Sequence, residues 1–248
     1  MSQTGYEYQG GEVYDLIYTL GRGKAYAAEA WRVHQLIEQH SQSGGRELLD
    51  VACGTGLHDQ YFAKWYEVTG VDVSPKMLEA ARKRLPALEF IEASMTNFDL
   101  GRQYDAVTCL FSAIGHMLTR RDLHRAIATM ARHLKPGGVL IVESWLHPEQ
   151  FKPGMLSTDP VKTDEIDVVR MVHTTKRGDN LSHLDMHHLV GRPGPDGGVE
   201  HFVEEVDVAL WTVAEYEDAF RAAGLDVTCD PEGLIGRSLF IGTKQNSR

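Results

Sequence analysis

Between residues 47 and 145 short, almost continuous apolar runs alternate with stretches of helical period, and that alternation admits few folds. "ELLDVA", "VTGVDV", "LEFIEA", "YDAVTCLF" and "GVLIVES" read as five strands, with "HDQYFAKWY", "SPKMLEAARKRL" and "DLHRAIATMARHL" as helices between them. In the second helix Ser74 is a natural N-cap and Pro75 suits the first turn, while Lys76, Met77, Ala80, Ala81 and Arg84 keep the period. The third helix stops at the turn "KPGG". Strands this uniformly apolar are buried on both faces, so the order predicts an α/β fold, a parallel sheet wound with helices on either side.

Beyond Trp145 the pattern changes to long alternating segments, "EIDVVRMVHTTKR", "LSHLDMHHLVG" and "VEHFVEEVDVALW", joined by "GDN" and "RPGPDGG". That is turn chemistry for antiparallel strands. "TVAEYEDAFRAAGL" reads as a capped helix ending at Gly224, and "GRSLFIGTK" as a last strand. The tail from Gln245 to Arg248 is expected to fray.

With 248 residues, 42% of them hydrophobic, the chain can bury a full core as one elaborated domain. A formal net charge of -10 gives no basic footprint for nucleic acid or for an anionic membrane. Small molecules are the expected ligands. Three widely spaced cysteines, Cys53, Cys109 and Cys229, suggest neither a disulfide framework nor a zinc ribbon. The first residues lack a charged and apolar leader, and no apolar run reaches membrane length, so a cytoplasmic protein is expected.

The stretch "DVACGTG" follows the first strand, where an open parallel sheet receives its ligand. Gly54 and Gly56 are placed to take positive φ or to let a ligand approach the backbone. A dinucleotide fingerprint wants a third glycine where Asp59 stands, and a carboxylate there is expected to repel phosphates. No Gly-Lys-Ser/Thr follows, so a phosphate loop is excluded too. Asp72, at the end of the next strand, can accept both hydroxyls of a ribose. Asp50, Gly54, Gly56 and Asp72 together suit a ribose-bearing ligand without phosphates, of which S-adenosylmethionine is one.

"LLDVACGTG", "VTGVDVSPKMLEAAR", "YDAVTCLFSAIGH" and "LKPGGVLIVESW" resemble the successive motifs of class I S-adenosylmethionine-dependent methyltransferases. With "YDLIYTLGRGKAYAAEA", "ESWLHPEQF" and "GRSLF" added, the chain resembles the N,N-dimethyltransferases of nucleotide-linked amino sugars in antibiotic biosynthesis, of the desosamine and mycaminose type. The resemblance covers nearly the whole chain. It implies a doubly wound, mostly parallel, seven-stranded Rossmann-like sheet with an added antiparallel sheet over the active site. By it, residues 1–45 form a helical cap, 46–150 the cofactor core, 151–210 the antiparallel insertion and 211–244 the last helix and strands of the core.

The same resemblance assigns the cofactor to Asp50, Ala52, Gly54, Gly56, Asp72, Val73 and Phe111, with Ser94 and Met95 at the adenine, and Tyr14 and Tyr26 at the methionine end. Similar enzymes usually carry an acid where Ser94 stands, so Ser94 is the weaker adenine partner. Tyr6 or Tyr8 closes the pocket over the amine. The acceptor is a thymidine-diphosphate amino sugar, and the insertion also supplies a homodimer surface.

Methyl transfer to an amine is an in-line displacement that needs a neutral nitrogen and no metal. His116, at the carboxyl edge after the fourth strand, is the candidate proton acceptor, or else a residue that positions the sugar. Arg237 is the candidate for the diphosphate, with Arg22 and Lys24 behind it, and Trp145 and Phe151 are candidate walls of the sugar pocket. On a strand His183, Asp185 and His187 share one face, and a solvated polar face is expected there rather than a metal. Two other readings compete: a methyltransferase for another small-molecule amine or hydroxyl, and a cofactor-binding sensor or scaffold without catalysis.

Overall fold

The computed structural model describes residues 11–246. Tyr6 and Tyr8, the two candidates for the pocket closure, lie outside the described residues. Five strands follow one another through the first half: β1 (Glu47–Val51), β2 (Glu67–Asp72), β3 (Glu89–Glu92), β4 (Tyr104–Cys109) and β5 (Leu134–Glu143). Four long strands then make a separate antiparallel sheet, β6 (Leu156–Lys162), β7 (Asp167–Arg177), β8 (Leu181–Arg192) and β9 (Gly198–Ala209). The last two, β10 (Leu225–Asp230) and β11 (Leu239–Lys244), return to the first sheet, which has seven strands in the order β10-β11-β5-β4-β1-β2-β3. β1 to β5 pair in parallel, whereas β11 runs antiparallel to β5 and β10. The winding reverses between β1 and β4, which opens a crevice at their carboxyl ends.

Side chains alternate across the sheet, so neighbours on one strand enter different cores. Leu49, Val107, Val142 and Phe240 pack under α5 (Arg120–Arg132) and α6 (Val213–Ala222), through Ile127, Tyr216 and Phe220. Leu48, Ala106, Ile141 and Ile241 meet Val33, Leu36 and Ile37 of α2 (Tyr26–His40). Helix α4 (Pro75–Arg84) starts as expected, with Ser74 Oγ accepting the Met77 N–H at 3.4 Å and Pro75 in the first turn. Thr212 and Glu215 form a reciprocal capping box on α6.

Three local expectations differ. The helix after the glycine turn is a single turn, α3 (Asp59–Phe62), because the N–H groups of Lys64 and Trp65 turn back to carbonyls three residues earlier. "KPGG" lies inside β5 as an irregularity: the register shifts between the Tyr104 and Ala106 pairings, and Gly137 has φ +76°. β6 and β10 are strands that the apolar pattern does not announce, and both are sheet edges. β6 carries Pro160, which is tolerated at an edge.

The N-terminal cap is α1 (Gly11–Leu16), a π-helical turn (Ile17–Gly21) and α2. The inner face of the four-stranded sheet buries Val161, Val168 and Val190 against Ile17, with Val13 and Leu16 packed alongside. Farther along, Val172, Met186, Val206 and Val208 cover Trp145. The added sheet therefore stands against the cap and the end of β5, beside the crevice.

Candidate active site

After β1 the backbone turns through three left-handed residues, Ala52 (φ 60°), Gly54 (φ 57°) and Gly56 (φ 75°). A Cβ at Gly54 meets nothing within 4 Å, so the turn presents open backbone to the crevice. Asp72, at the end of β2, ties this turn to the next: its Oδ2 accepts the Gly54 N–H at 2.9 Å and its Oδ1 the Ser74 N–H at 2.8 Å. Burial raises its carboxyl. The Val73 N–H bonds this carboxylate as well, and of its roughly four lone-pair sites about one is left for a ligand donor. Val73 beside it is 61% exposed, an apolar side chain on an open surface, and Met95 is half-buried on the neighbouring loop. The Ser94 Oγ lies 3.0 Å from Thr96 Oγ1.

Asp50 and Asp59 are both buried, and burial raises both carboxyls. Thr108 donates its hydroxyl to Asp50 at 2.7 Å, and the charge of Asp50 pushes the Asp59 carboxyl further up. The expectation that Asp59 faces the ligand is corrected. Asp59 opens a one-turn helix and points into the core, so its charge does not bear on phosphate binding.

Two cavities meet at Phe111. The smaller, about 40 Å³, is lined by Tyr14, Tyr26, Asp50, Ala52, Gly54 and Phe111, so six residues expected at the cofactor converge on one space. The larger, about 470 Å³, is lined by Tyr18, Arg22, Lys24, Glu29, Phe111 and Arg237 among others. Phe111 and Ser112 are left-handed at φ 53° and 62°, a sparsely populated conformation for such residues. They are held there by neighbours. The Phe111 N–H donates to Glu143 Oε2 at 2.6 Å, the Ser112 hydroxyl donates to the Ser144 carbonyl at 2.6 Å, and Arg237 donates to Ser112 Oγ at 2.9 Å.

The larger cavity is cationic in an acidic protein. Lys24 pairs with Glu29, Arg22 with Asp159 and Arg32 with Asp230, while Arg237 has no carboxylate within ion-pair distance among the described residues. Its guanidinium stacks 4.3 Å from the Trp145 ring, whose indole N–H donates to Ser182 at 3.0 Å. Burial lowers the Arg237 guanidinium and raises Glu143. Arg237 is thus a half-buried cation held over Trp145 at the cavity wall. Glu29 accepts from His58 at 2.9 Å and from Lys24, bridging the two cavities; burial pushes its carboxyl up, but those two partners outweigh it and hold it below the usual range.

His116 ends a 3₁₀ turn (Ala113–His116) on the same carboxyl edge, and burial lowers its imidazole, which keeps it neutral near neutral pH. It lines neither cavity, and nor does Phe151, which sits in the turn after His147. Gly115 lets this turn approach the added sheet: a Cβ there lies 2.5 Å from Val208 Cγ1. His183 and Asp185 on β8 and Glu205 on β9 have ligand atoms within 4.8 Å of one another. Arg177, however, donates to His183 Nε2 at 2.8 Å, and Asp207 takes the other ring nitrogen at 2.7 Å, so these groups form a polar network. His187 turns instead to His201, 3.1 Å away.

Four contributors escape a sequence reading. Tyr18 is one helical turn after Tyr14, with rings 4.6 Å apart, and His58 is the second residue after Gly56, so both have a local signal. Asp159 and Arg170 come from separate strands of the added sheet and have none.

The chain is similar to known methyltransferases in sequence and in fold. Residues 48–138 match the model of a methyltransferase domain. The chain is 43% identical over 238 residues to the dTDP-3-amino-3,4,6-trideoxy-alpha-D-glucopyranose N,N-dimethyltransferase of Streptomyces venezuelae, covering 96% of this chain and 98% of that one. Among solved structures, that of Streptomyces venezuelae DesVI superposes with a TM-score of 0.89 at 42% identity, over 96% of this chain and all 100% of the other. S-adenosylmethionine-bound CalS10, an amino pentose methyltransferase from Micromonospora echinaspora involved in calicheamicin biosynthesis, superposes with a TM-score of 0.84 at 37% identity, over 94% and 97% of the two chains.

Proposed function

This chain belongs to the class I S-adenosylmethionine-dependent methyltransferases, and on that premise we propose that it methylates the amino group of a dTDP-linked amino deoxysugar, twice, to give the N,N-dimethylamino sugar of a secondary metabolite. The observation that carries this reading is the partition at Phe111: an open glycine turn on one side, a cation-lined cavity on the other. The open backbone at Gly54 and the remaining acceptor capacity of Asp72 suit S-adenosylmethionine. Bound there, it supplies a methyl group activated on a sulfonium.

The chain's own residues orient and hold. Asp72 accepts the ribose hydroxyls, Val73, Ser94 and Met95 receive the adenine, and Tyr14 and Tyr26 enclose the methionine end. Arg237, fixed by Trp145 and Ser112, takes the acceptor's diphosphate. Orientation of this kind is worth about 7 to 11 kcal/mol of barrier in favourable model systems, so no nucleophilic side chain is required. His116, kept neutral by burial, accepts the amine's proton or holds the amine. A second methylation needs the nitrogen deprotonated again, which is where such an acceptor matters most.

His116→Asn is expected to leave donor affinity unchanged and lower turnover, and Arg237→Gln to raise the acceptor KM with donor affinity unchanged. Steady-state kinetics and donor calorimetry on the two variants check this. Normal acceptor kinetics in Arg237→Gln removes the diphosphate assignment, and normal turnover in His116→Asn removes His116 from the chemistry.

The outer face of the added sheet exposes Val169, Met171, Leu189, Val199 and Val203, which supports self-association as a homodimer, testable by sedimentation. No helix of the described residues is long and apolar enough to cross a membrane, and the reading sets the reaction in the cytoplasm.

A further inference from the structure

The added sheet reaches the larger cavity through one carboxylate. Asp159 on β6 and Arg170 on β7 are register partners on the inner face, 7% and 3% exposed. Arg170 donates to Asp159 Oδ2 from Nε at 3.0 Å and from Nη2 at 2.7 Å. The same carboxylate accepts from Arg22 across the cavity wall, Nε to Oδ1 at 2.8 Å and Nη2 to Oδ2 at 3.0 Å. Arg170 then donates from Nη1 to the Tyr18 hydroxyl at 3.0 Å and lies 4.9 Å over the Tyr18 ring. Tyr18 meets Phe111 edge-on at 4.7 Å. Tyr18 and Arg22 line the cavity, whereas Asp159 and Arg170 do not.

One carboxylate thus serves two guanidinium groups, and the cluster keeps a net positive charge turned toward the cavity. Gly21 makes the close approach possible, since a Cβ there lies 2.9 Å from Val161 Cγ2 on β6. Two side chains of the cavity wall are therefore aimed from a sheet that has no group of its own in the cofactor turn.

We propose that Asp159 is a positioning residue for the acceptor: through Arg22 directly, and through Arg170 to Tyr18, it fixes the wall that recognises the acceptor's diphosphate, so the added sheet sets acceptor selectivity independently of the cofactor core. The proposal rests on the diphosphate-bearing acceptor assigned above. It distinguishes two direct supports in the diphosphate site: Arg237 is touched by Trp145 after β5 and Ser112 after β4, and Arg22 by Asp159 of the added sheet.

The test is steady-state kinetics of the full chain with two acceptors, a dTDP-linked amino deoxysugar and the methyl glycoside of the same amino sugar, which lacks the nucleotide. Asp159→Asn is expected to raise the KM for the nucleotide-linked acceptor about tenfold or more, the loss of a hydrogen bond to a charged group, with kcat within about twofold and donor affinity unchanged. kcat/KM for the methyl glycoside is expected to stay at the wild-type value. Arg22→Gln leaves the buried Asp159–Arg170 pair intact and is expected to give the same KM shift with an unchanged melting temperature, which covers the case in which Asp159→Asn folds poorly. The double variant is expected to add little to either single one. Asp167→Asn, on the same sheet and paired with Lys162 at 3.1 Å at the surface, serves as the control with wild-type kinetics. Equal losses on both acceptors, or an unchanged KM in both Asp159→Asn and Arg22→Gln, overturn the proposal. Wild-type enzyme that uses the two acceptors with equal kcat/KM overturns the diphosphate reading itself, and the proposal with it.

Discussion

Replacing Asp72 by Asn removes one charge and reverses one hydrogen bond. The carboxylate accepts the Gly54 and Ser74 N–H groups at 2.9 and 2.8 Å, one on each oxygen. An asparagine has a single oxygen, so whichever way its amide turns, an NH₂ faces one of these donors. The lost bond to a charged acceptor costs about 1.5–3 kcal/mol, partly offset because a buried charge disappears, which leaves about 1–2 kcal/mol of stability. The larger effect is on the donor. A ribose hydroxyl that meets the carboxylate in the wild type loses another charge-assisted bond, so the dissociation constant for S-adenosylmethionine rises about 10- to 150-fold. Calorimetric titration measures this directly, and thermal melts with and without donor separate it from the stability change. Saturating donor at about 100 times its dissociation constant stabilises the wild type by about 2.7 kcal/mol, and the variant at that same concentration by far less. A folded Asp72→Asn protein that binds the donor within twofold of wild type refutes the assignment of Asp72 to the ribose.

Three further outcomes follow from buried groups. Burial, with the charge of Arg170, holds His188 down at about 4 against an ordinary 6.5, so the unfolded chain takes up this proton first; the stability it contributes is complete above about 6.5 and is lost as pH falls toward 4, about 3 kcal/mol in all. Urea unfolding across that interval shows the slope, and His188→Gln flattens it; parallel slopes in the two proteins contradict the account. Gly115→Ala drives a methyl to 2.5 Å from Val208 and 3.1 Å from Trp145 and is expected to cost about 1–3 kcal/mol, read as a lower melting temperature, with unchanged stability as the contrary result. Glu29→Gln leaves Lys24, whose side chain is 5% exposed, without its counter-charge, and a loss of about 3–5 kcal/mol in urea unfolding is expected, whereas a neutral effect shows the pair to be dispensable.

The parallel half of the fold is legible because its interior strands are buried on both faces and its helices carry their own caps: Ser74, Thr212 and Glu215 act as the sequence says. Two of the four edge strands are not. β6 and β10 lack the uniform apolar run that identifies an interior strand, and Pro160 reads as a break unless the edge is known. The glycine turn and Asp72 could be read from spacing, since both follow consecutive strands and meet by the parallel register. Asp59 shows the limit of spacing, because its direction depends on whether the following helix is one turn or three. Asp159 and Arg170 show another: their meeting with Arg22 joins residues more than a hundred positions apart, and nothing local marks it. His116 was found by its place after β4, yet its function depends on an acceptor pose that sequence does not specify.

The central claim is tested most directly by mass spectrometry of the purified protein with S-adenosylmethionine and a panel of thymidine-diphosphate 3-amino and 4-amino deoxysugars, following product mass with time. The account predicts successive gains of one and then two methyl groups on one isomer. Tight donor binding in calorimetry with no methylated product from any member of the panel contradicts it.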